Sequence, residues 1–162
     1  MEIYDNFLEQ EYFDNICNYV MVPNFQGWSY CPRVSDEIDD VVHNQYYFIH
    51  KLYEENGPRT DEYGMIADVL KQIKCNAIIR ARLLLYTNVG EFVKHNFHID
   101  YDYSHKAALL YLNTCNGYTG FEDDIKVESV KNRMVIFDGS TPHHSTSCTD
   151  TQSRYVLSIN YF

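Results

Sequence analysis

From residue 77 onward the chain is a succession of short apolar runs separated by turn residues, and this pattern narrows its possible folds most. Residues 77–86, 93–99, 107–113, 126–130, 134–137 and 154–161 mix β-branched, aliphatic and aromatic side chains at strand lengths. Asn116-Gly117 predicts a hairpin turn between Leu112 and Phe121. Ahead of this series, Leu8, Tyr12, Phe13, Ile16, Tyr19 and Val20 recur at helical spacing, with Glu9, Glu11 and Asp14 opposite. A second helix is predicted from Asp61 or Glu62 to Ile73, where Met65, Ile66, Val69 and Leu70 repeat every three or four residues. Residues 41–47 read as an additional strand and 57–60 as a turn or loop. Two helices followed by seven or eight short strands predict a mainly β fold, with a helical support over about residues 1–75 and a double-sheet jelly-roll or barrel core over about 76–162.

A chain of 162 residues suits one domain. Its formal net charge of -10 opposes binding to a phosphate backbone, so a nucleic-acid partner is disfavoured. No run of 18 apolar residues and no basic, apolar leader is present, which predicts a cytoplasmic protein with no membrane partner. Five cysteines, an odd number without C-x-x-C spacing, read as reduced structural thiols.

Chemistry concentrates in three stretches. In Phe97-His98-Ile99-Asp100-Tyr101, a strand period of two sends His98 and Asp100 to one face and Ile99 to the other. An isolated His-x-Asp is by default a strand histidine beside its own carboxylate. With one more imidazole from a distant strand, the pair becomes the two-histidine, one-carboxylate set that holds non-haem Fe(II) and leaves coordination positions open. Pro142-His143-His144 offers two such imidazoles, and because adjacent strand residues face opposite ways only one can join. Along Arg154-Tyr155-Val156-Leu157-Ser158, Arg154 and Ser158 share a face, so both are expected to line a pocket. His43, His50, His95 and His105 lack a partner pattern and read as surface or structural. The acidic runs 36–40 and 122–124 read as solvated loops.

In this order the motifs resemble the Fe(II)- and 2-oxoglutarate-dependent dioxygenases, in their prolyl 4-hydroxylase-like branch, over roughly residues 80–162. The similar residues are Arg82-Leu83-Leu84-Leu85-Tyr86, His98-Ile99-Asp100, Tyr111-Leu112-Asn113, Arg133-Met134-Val135-Ile136-Phe137, Pro142-His143 and Arg154-Tyr155. The resemblance implies a double-stranded β-helix of cupin-like jelly-roll form. It also implies an oxidoreductase that couples decarboxylation of 2-oxoglutarate, with O2, to hydroxylation of a substrate, releasing succinate and CO2. His98, Asp100 and His143 would be the metal ligands and catalytic centre. Arg154, Tyr86, Tyr111 and Ser158 would bind the cosubstrate. The family's spacing from the distal histidine to the arginine favours His143 over His144. Some relatives carry Ser two residues after the arginine, where this chain has Val156, which weakens assignment to a subfamily. The substrate, peptidyl (prolyl) or a small metabolite, stays open, as does an ascorbate requirement. A cupin-type metal protein of other chemistry and a non-catalytic 2-oxoglutarate-binding module remain alternatives.

Overall fold

The computed structural model describes residues 1–34 and 44–162. In chain order the elements are β1 (Glu2–Tyr4), α1 (Gln10–Val20), β2 (Ser29–Cys31), β3 (Tyr47–Glu54), β4 (Gly57–Pro58), a 3-10 helix (Asp61–Ile66) and α2 (Ala67–Gln72). They continue with β5 (Ile78–Thr87), β6 (Lys106–Tyr111), β7 (Tyr118–Phe121), β8 (Lys126–Glu128), β9 (Arg133–Asp138), β10 (His143–Ser145) and β11 (Ser153–Tyr161).

The pairing is antiparallel throughout. A large sheet runs β1-β9-β6-β11-β5-β3-β2, with β4 added to β3, and a small sheet runs β10-β7-β8. Two sheets closing on each other with helices behind one of them make the predicted mainly β double-stranded β-helix, a jelly roll.

The central strands of the large sheet are covered on both faces, which is why they read as nearly continuous apolar runs instead of alternating ones. One face carries Ala81, Leu83, Ala108, Leu110, Met134, Leu157 and Ile159 against Phe13, Ile16, Val20, Ile66 and Val69 of the helical layer. The other carries Tyr86, Leu109, Tyr111, Val135, Phe137 and Val156 toward Phe121 and Val127 of the small sheet. α1 starts where the Glu9 carboxylate accepts the Tyr12 N–H at 3.1 Å, satisfying one of the free donors of its first turn. No helix among the described residues is long and apolar enough to cross a membrane.

Four expectations change. The N-terminal 75 residues supply strands β1 to β4 as well as helices, so sheet and support are not divided at residue 76. The second predicted helix is half 3-10, Asp61–Ile66, before its α turns begin. Residues 93–99 are not a regular strand and hold only two isolated bridges, Lys94 to Thr146 and His98 to His143. Four steps on one side face three on the other, and this extra residue breaks the ladder as a bulge does.

Asn116-Gly117 is not a hairpin either. It lies on the passage from β6 in the large sheet to β7 in the small one, and neither residue has a positive φ. Asn116 is tied instead to the 149–150 loop, its backbone N–H donating to the Asp150 carboxylate and its side chain to Thr149. Gly117 is needed for close approach: a Cβ there would lie 2.7 Å from both Arg154 Cδ and the Ser147 carbonyl oxygen. Of the 41–47 strand, residues 41–43 lie outside the described residues and 44–46 are not strand, so β3 begins only at Tyr47. The 36–40 run and His43 also fall outside them.

Candidate active site

His98, Asp100 and His143 converge, with one ligand atom of each within 4.8 Å of the others. The backbone builds this meeting directly. His98 and His143 form a hydrogen-bonded antiparallel bridge, each N–H donating to the other's carbonyl at 2.9 Å, and their rings lie 4.5 Å apart. Asp100 is anchored two residues on, its N–H donating to the Gly139 carbonyl at 3.0 Å.

His143 Nδ1 donates to the Thr141 carbonyl at 2.9 Å, which orients the ring with Nε2 3.9 Å from the Asp100 carboxylate. Burial, then the neighbouring His143, pushes the His98 imidazolium toward its neutral form, as a metal ligand requires. Burial by itself would raise the Asp100 carboxyl. Arg80, His143 and a hydrogen bond from Asn160 outweigh it and hold the group below the usual carboxylate range. Two imidazoles and an ionised carboxylate on one side of an open cavity fit a divalent first-row metal with free coordination positions.

His144 turns the opposite way. Paired in register with Gly120 on β7, it lays its ring where a Gly120 Cβ would sit, 2.1 Å from that position, and packs against Phe97 and Tyr118.

The metal-type cluster opens into a cavity of about 530 Å³ between the sheets, which Tyr86, Thr119, Arg154 and Ser158 also line. Arg154 is almost completely buried, yet among the described residues no carboxylate pairs with it. Its Nε donates to Ser129 Oγ at 2.6 Å, one terminal nitrogen to Thr119 Oγ1 at 3.0 Å and the other to the Thr146 carbonyl at 3.3 Å. A guanidinium has five N–H groups, so each terminal nitrogen keeps one donor in reserve. The Tyr86 and Tyr111 rings flank the charge at 5.4 and 5.3 Å.

Of the cosubstrate residues expected from sequence, Tyr86, Arg154 and Ser158 line the cavity and Tyr111 does not. Tyr111 is fully buried behind it, its hydroxyl donating to Thr119 Oγ1 at 2.9 Å.

Sequence reasoning missed the groups that hold the ligands. Arg80 donates to one Asp100 oxygen and Asn160 to the other, each at 2.8 Å, and Arg80 Nε also reaches Asn160 at 3.1 Å. The signal was present: Arg80, Arg82, Leu84 and Tyr86 alternate onto one face of β5, and Asn160 follows Ser158 on the same face of β11. Of the histidines read as surface or structural, His50, His95 and His105 are buried. His95 packs on Tyr86 at 5.3 Å and its Nδ1 meets Ser145 Oγ at 2.7 Å, while His105 Nε2 meets the Asn160 amide at 3.1 Å.

No protein-family model matches the chain, and no curated protein matches it by sequence. Solved structures do match. A Trichoplax adhaerens prolyl hydroxylase, in complex with a hypoxia inducible factor oxygen degradation domain peptide, is 16% identical with a TM-score of 0.69 and covers 99% of this chain and 82% of its own. A Pseudomonas putida prolyl-4-hydroxylase is 16% identical with a TM-score of 0.61, covering 99% and 92%. An oxidoreductase of the 2OG-Fe(II) oxygenase family from Burkholderia pseudomallei is 10% identical with a TM-score of 0.65, covering 97% and 81%.

Proposed function

The fold is therefore that of prolyl 4-hydroxylase-like 2OG-Fe(II) oxygenases, and we propose that the chain, as a single domain over residues 1–162, is an Fe(II)- and 2-oxoglutarate-dependent dioxygenase that hydroxylates a peptidyl, in particular prolyl, or small-molecule substrate. The observation that carries this is the pairing of a His98-Asp100-His143 cluster with a buried, carboxylate-free Arg154 on the walls of one cavity. A buried guanidinium without a counter-charge is costly, so a site that keeps one is built to receive an anion. A cupin-type metal protein of other chemistry has no use for such a cation.

His98, Asp100 and His143 would hold the iron, with Arg80 and Asn160 fixing the carboxylate and Thr141 fixing the His143 tautomer. Bound Fe(II) with 2-oxoglutarate and O2 supplies the oxidising chemistry, which yields succinate, CO2 and a hydroxylated product. The two reserve donors of Arg154 suit the far carboxylate of 2-oxoglutarate as a fork. Thr119 Oγ1 accepts from both Arg154 and Tyr111, which leaves its own proton free to donate into the cavity. Tyr86 and Tyr111 clamp the guanidinium plane, so its direction is set before the cosubstrate arrives, and Ser158 adds a hydroxyl to the same wall.

Succinate release from 2-oxoglutarate in air with added Fe(II) tests the reading. Asp100→Ala should lower it by at least about 100-fold. Arg154→Lys, which keeps the charge but not the fork, should raise the 2-oxoglutarate KM by about tenfold or more, near 1.4 kcal/mol. Wild-type behaviour in both variants would end the proposal.

A further inference from the structure

The cavity carries more positive charge than a metal site and one cosubstrate anchor call for. Arg33, Arg80, Arg82 and Arg154 all line it, four of the six arginines in a chain of net charge -10, and Asp100 is the one acidic residue on its described walls. Arg80 is matched by Asp100, and Arg154 awaits the cosubstrate in the reading above.

Arg82 belongs to neither function. On β5 it stands two residues, about 7 Å along the strand, from Arg80. It pairs in register with Ser158 on one side and Lys51 on the other. Arg154 lies across from Tyr86, about 13 Å further along.

Arg82 is mostly buried, and one terminal nitrogen donates to Glu54 Oε1. That carboxylate is shared, since Lys51 Nζ sits 2.6 Å from its other oxygen. One anion thus serves two cations. Among the described residues the buried Arg82 Nε has no hydrogen-bond partner. That atom is itself closed off, but the second terminal nitrogen makes no hydrogen bond among the described residues and is not shut away, so Arg82 keeps donors for the cavity it lines.

We infer that Arg82 is the anchor for a carboxylate on the substrate to be hydroxylated, so that this substrate is an acid and not a neutral compound. The inference rests on the dioxygenase reading and adds the substrate's charge class to it. A guanidinium suits a carboxylate because planar donors meet two oxygens at once, which an amide of the same shape cannot reproduce. Discrimination between acid and amide is therefore the property to measure.

Calorimetric titration of the Mn(II)- and 2-oxoglutarate-loaded protein, which binds without turning over, provides the test. Two matched pairs serve as probes: N-acetyl-L-proline against N-acetyl-L-prolinamide, and acetyl-Pro-Glu-amide against acetyl-Pro-Gln-amide. We expect the acid of at least one pair to bind at least tenfold tighter than its amide. The first pair reports a free acid and the second an acidic peptide side chain. Arg82→Gln should bring acid and amide within twofold. Glu54→Gln, which removes the competing carboxylate, should widen the gap by threefold or more, and it covers the case in which Arg82→Gln fails to fold. Equal affinity of acid and amide, no binding by any probe, or a preference that survives Arg82→Gln would overturn the inference. Failure of 2-oxoglutarate itself to bind the Mn(II)-loaded wild type would instead bring down the dioxygenase reading, so the two failures are distinguishable.

Discussion

The two faces of the large sheet use the same strands for opposite purposes. On β11, Leu157, Ile159 and Tyr161 face the helices while Arg154, Val156 and Ser158 face the cavity. On β5 the division is Ala81 and Leu83 against Arg80, Arg82, Leu84 and Tyr86. Adjacent residues, 3.3 to 3.4 Å apart along the chain, thus do unrelated work, and the pleat alone separates them. One face is apolar and filled. The other carries buried charge, with Arg80 held by Asp100 and Arg154 by Ser129, Thr119 and Thr146.

This contrast is sharpest at Leu157 and Ser158. Leu157→Ala should cost about 2–5 kcal/mol, since it opens a void in a fully buried cluster. Ser158→Ala should stay within about 1 kcal/mol, because it removes a hydroxyl from a cavity wall. Urea denaturation of both variants checks this, and equal losses would break the distinction between the faces.

A smaller effect is expected at the small sheet, where Gly120→Ala drives a Cβ into the His144 ring. The strain should cost about 1–3 kcal/mol in thermal unfolding. His144→Ala in the same chain should recover most of it, because the nearest atoms to that Cβ all belong to the His144 ring.

The last effect concerns pH. Burial, then the charges of Arg154 and His144, lower His95 from 6.5 to about 3 in the folded protein. The unfolded chain therefore takes up the proton first. The contribution is intact above pH 6.5 and is lost as pH falls from 6.5 toward 3, by up to about 1.4 kcal/mol per pH unit. In chelator-treated protein, His95→Gln should flatten the fall in stability between pH 6.5 and 4.5. An unchanged slope would show that His95 has no part in it.

Parity and order were legible in the chain itself. The strand periods at 77–86, 107–113 and 154–161, and the amphipathic stripe of α1, needed only local side-chain spacing. The rule that His143 and His144 face opposite ways is likewise a consequence of the pleat.

The packed structure alone decided the rest. It chose which of the two histidines turns inward, through the room that Gly120 leaves for the His144 ring. It converted 93–99 from a strand into two bridges and Asn116-Gly117 from a hairpin into a crossing between sheets. It also assembled Arg80 and Asn160 around Asp100, residues 80, 160 and 100 in the chain. Spacing along a chain reports which side a residue takes, but what it meets there depends on long-range pairing between segments that no local period encodes.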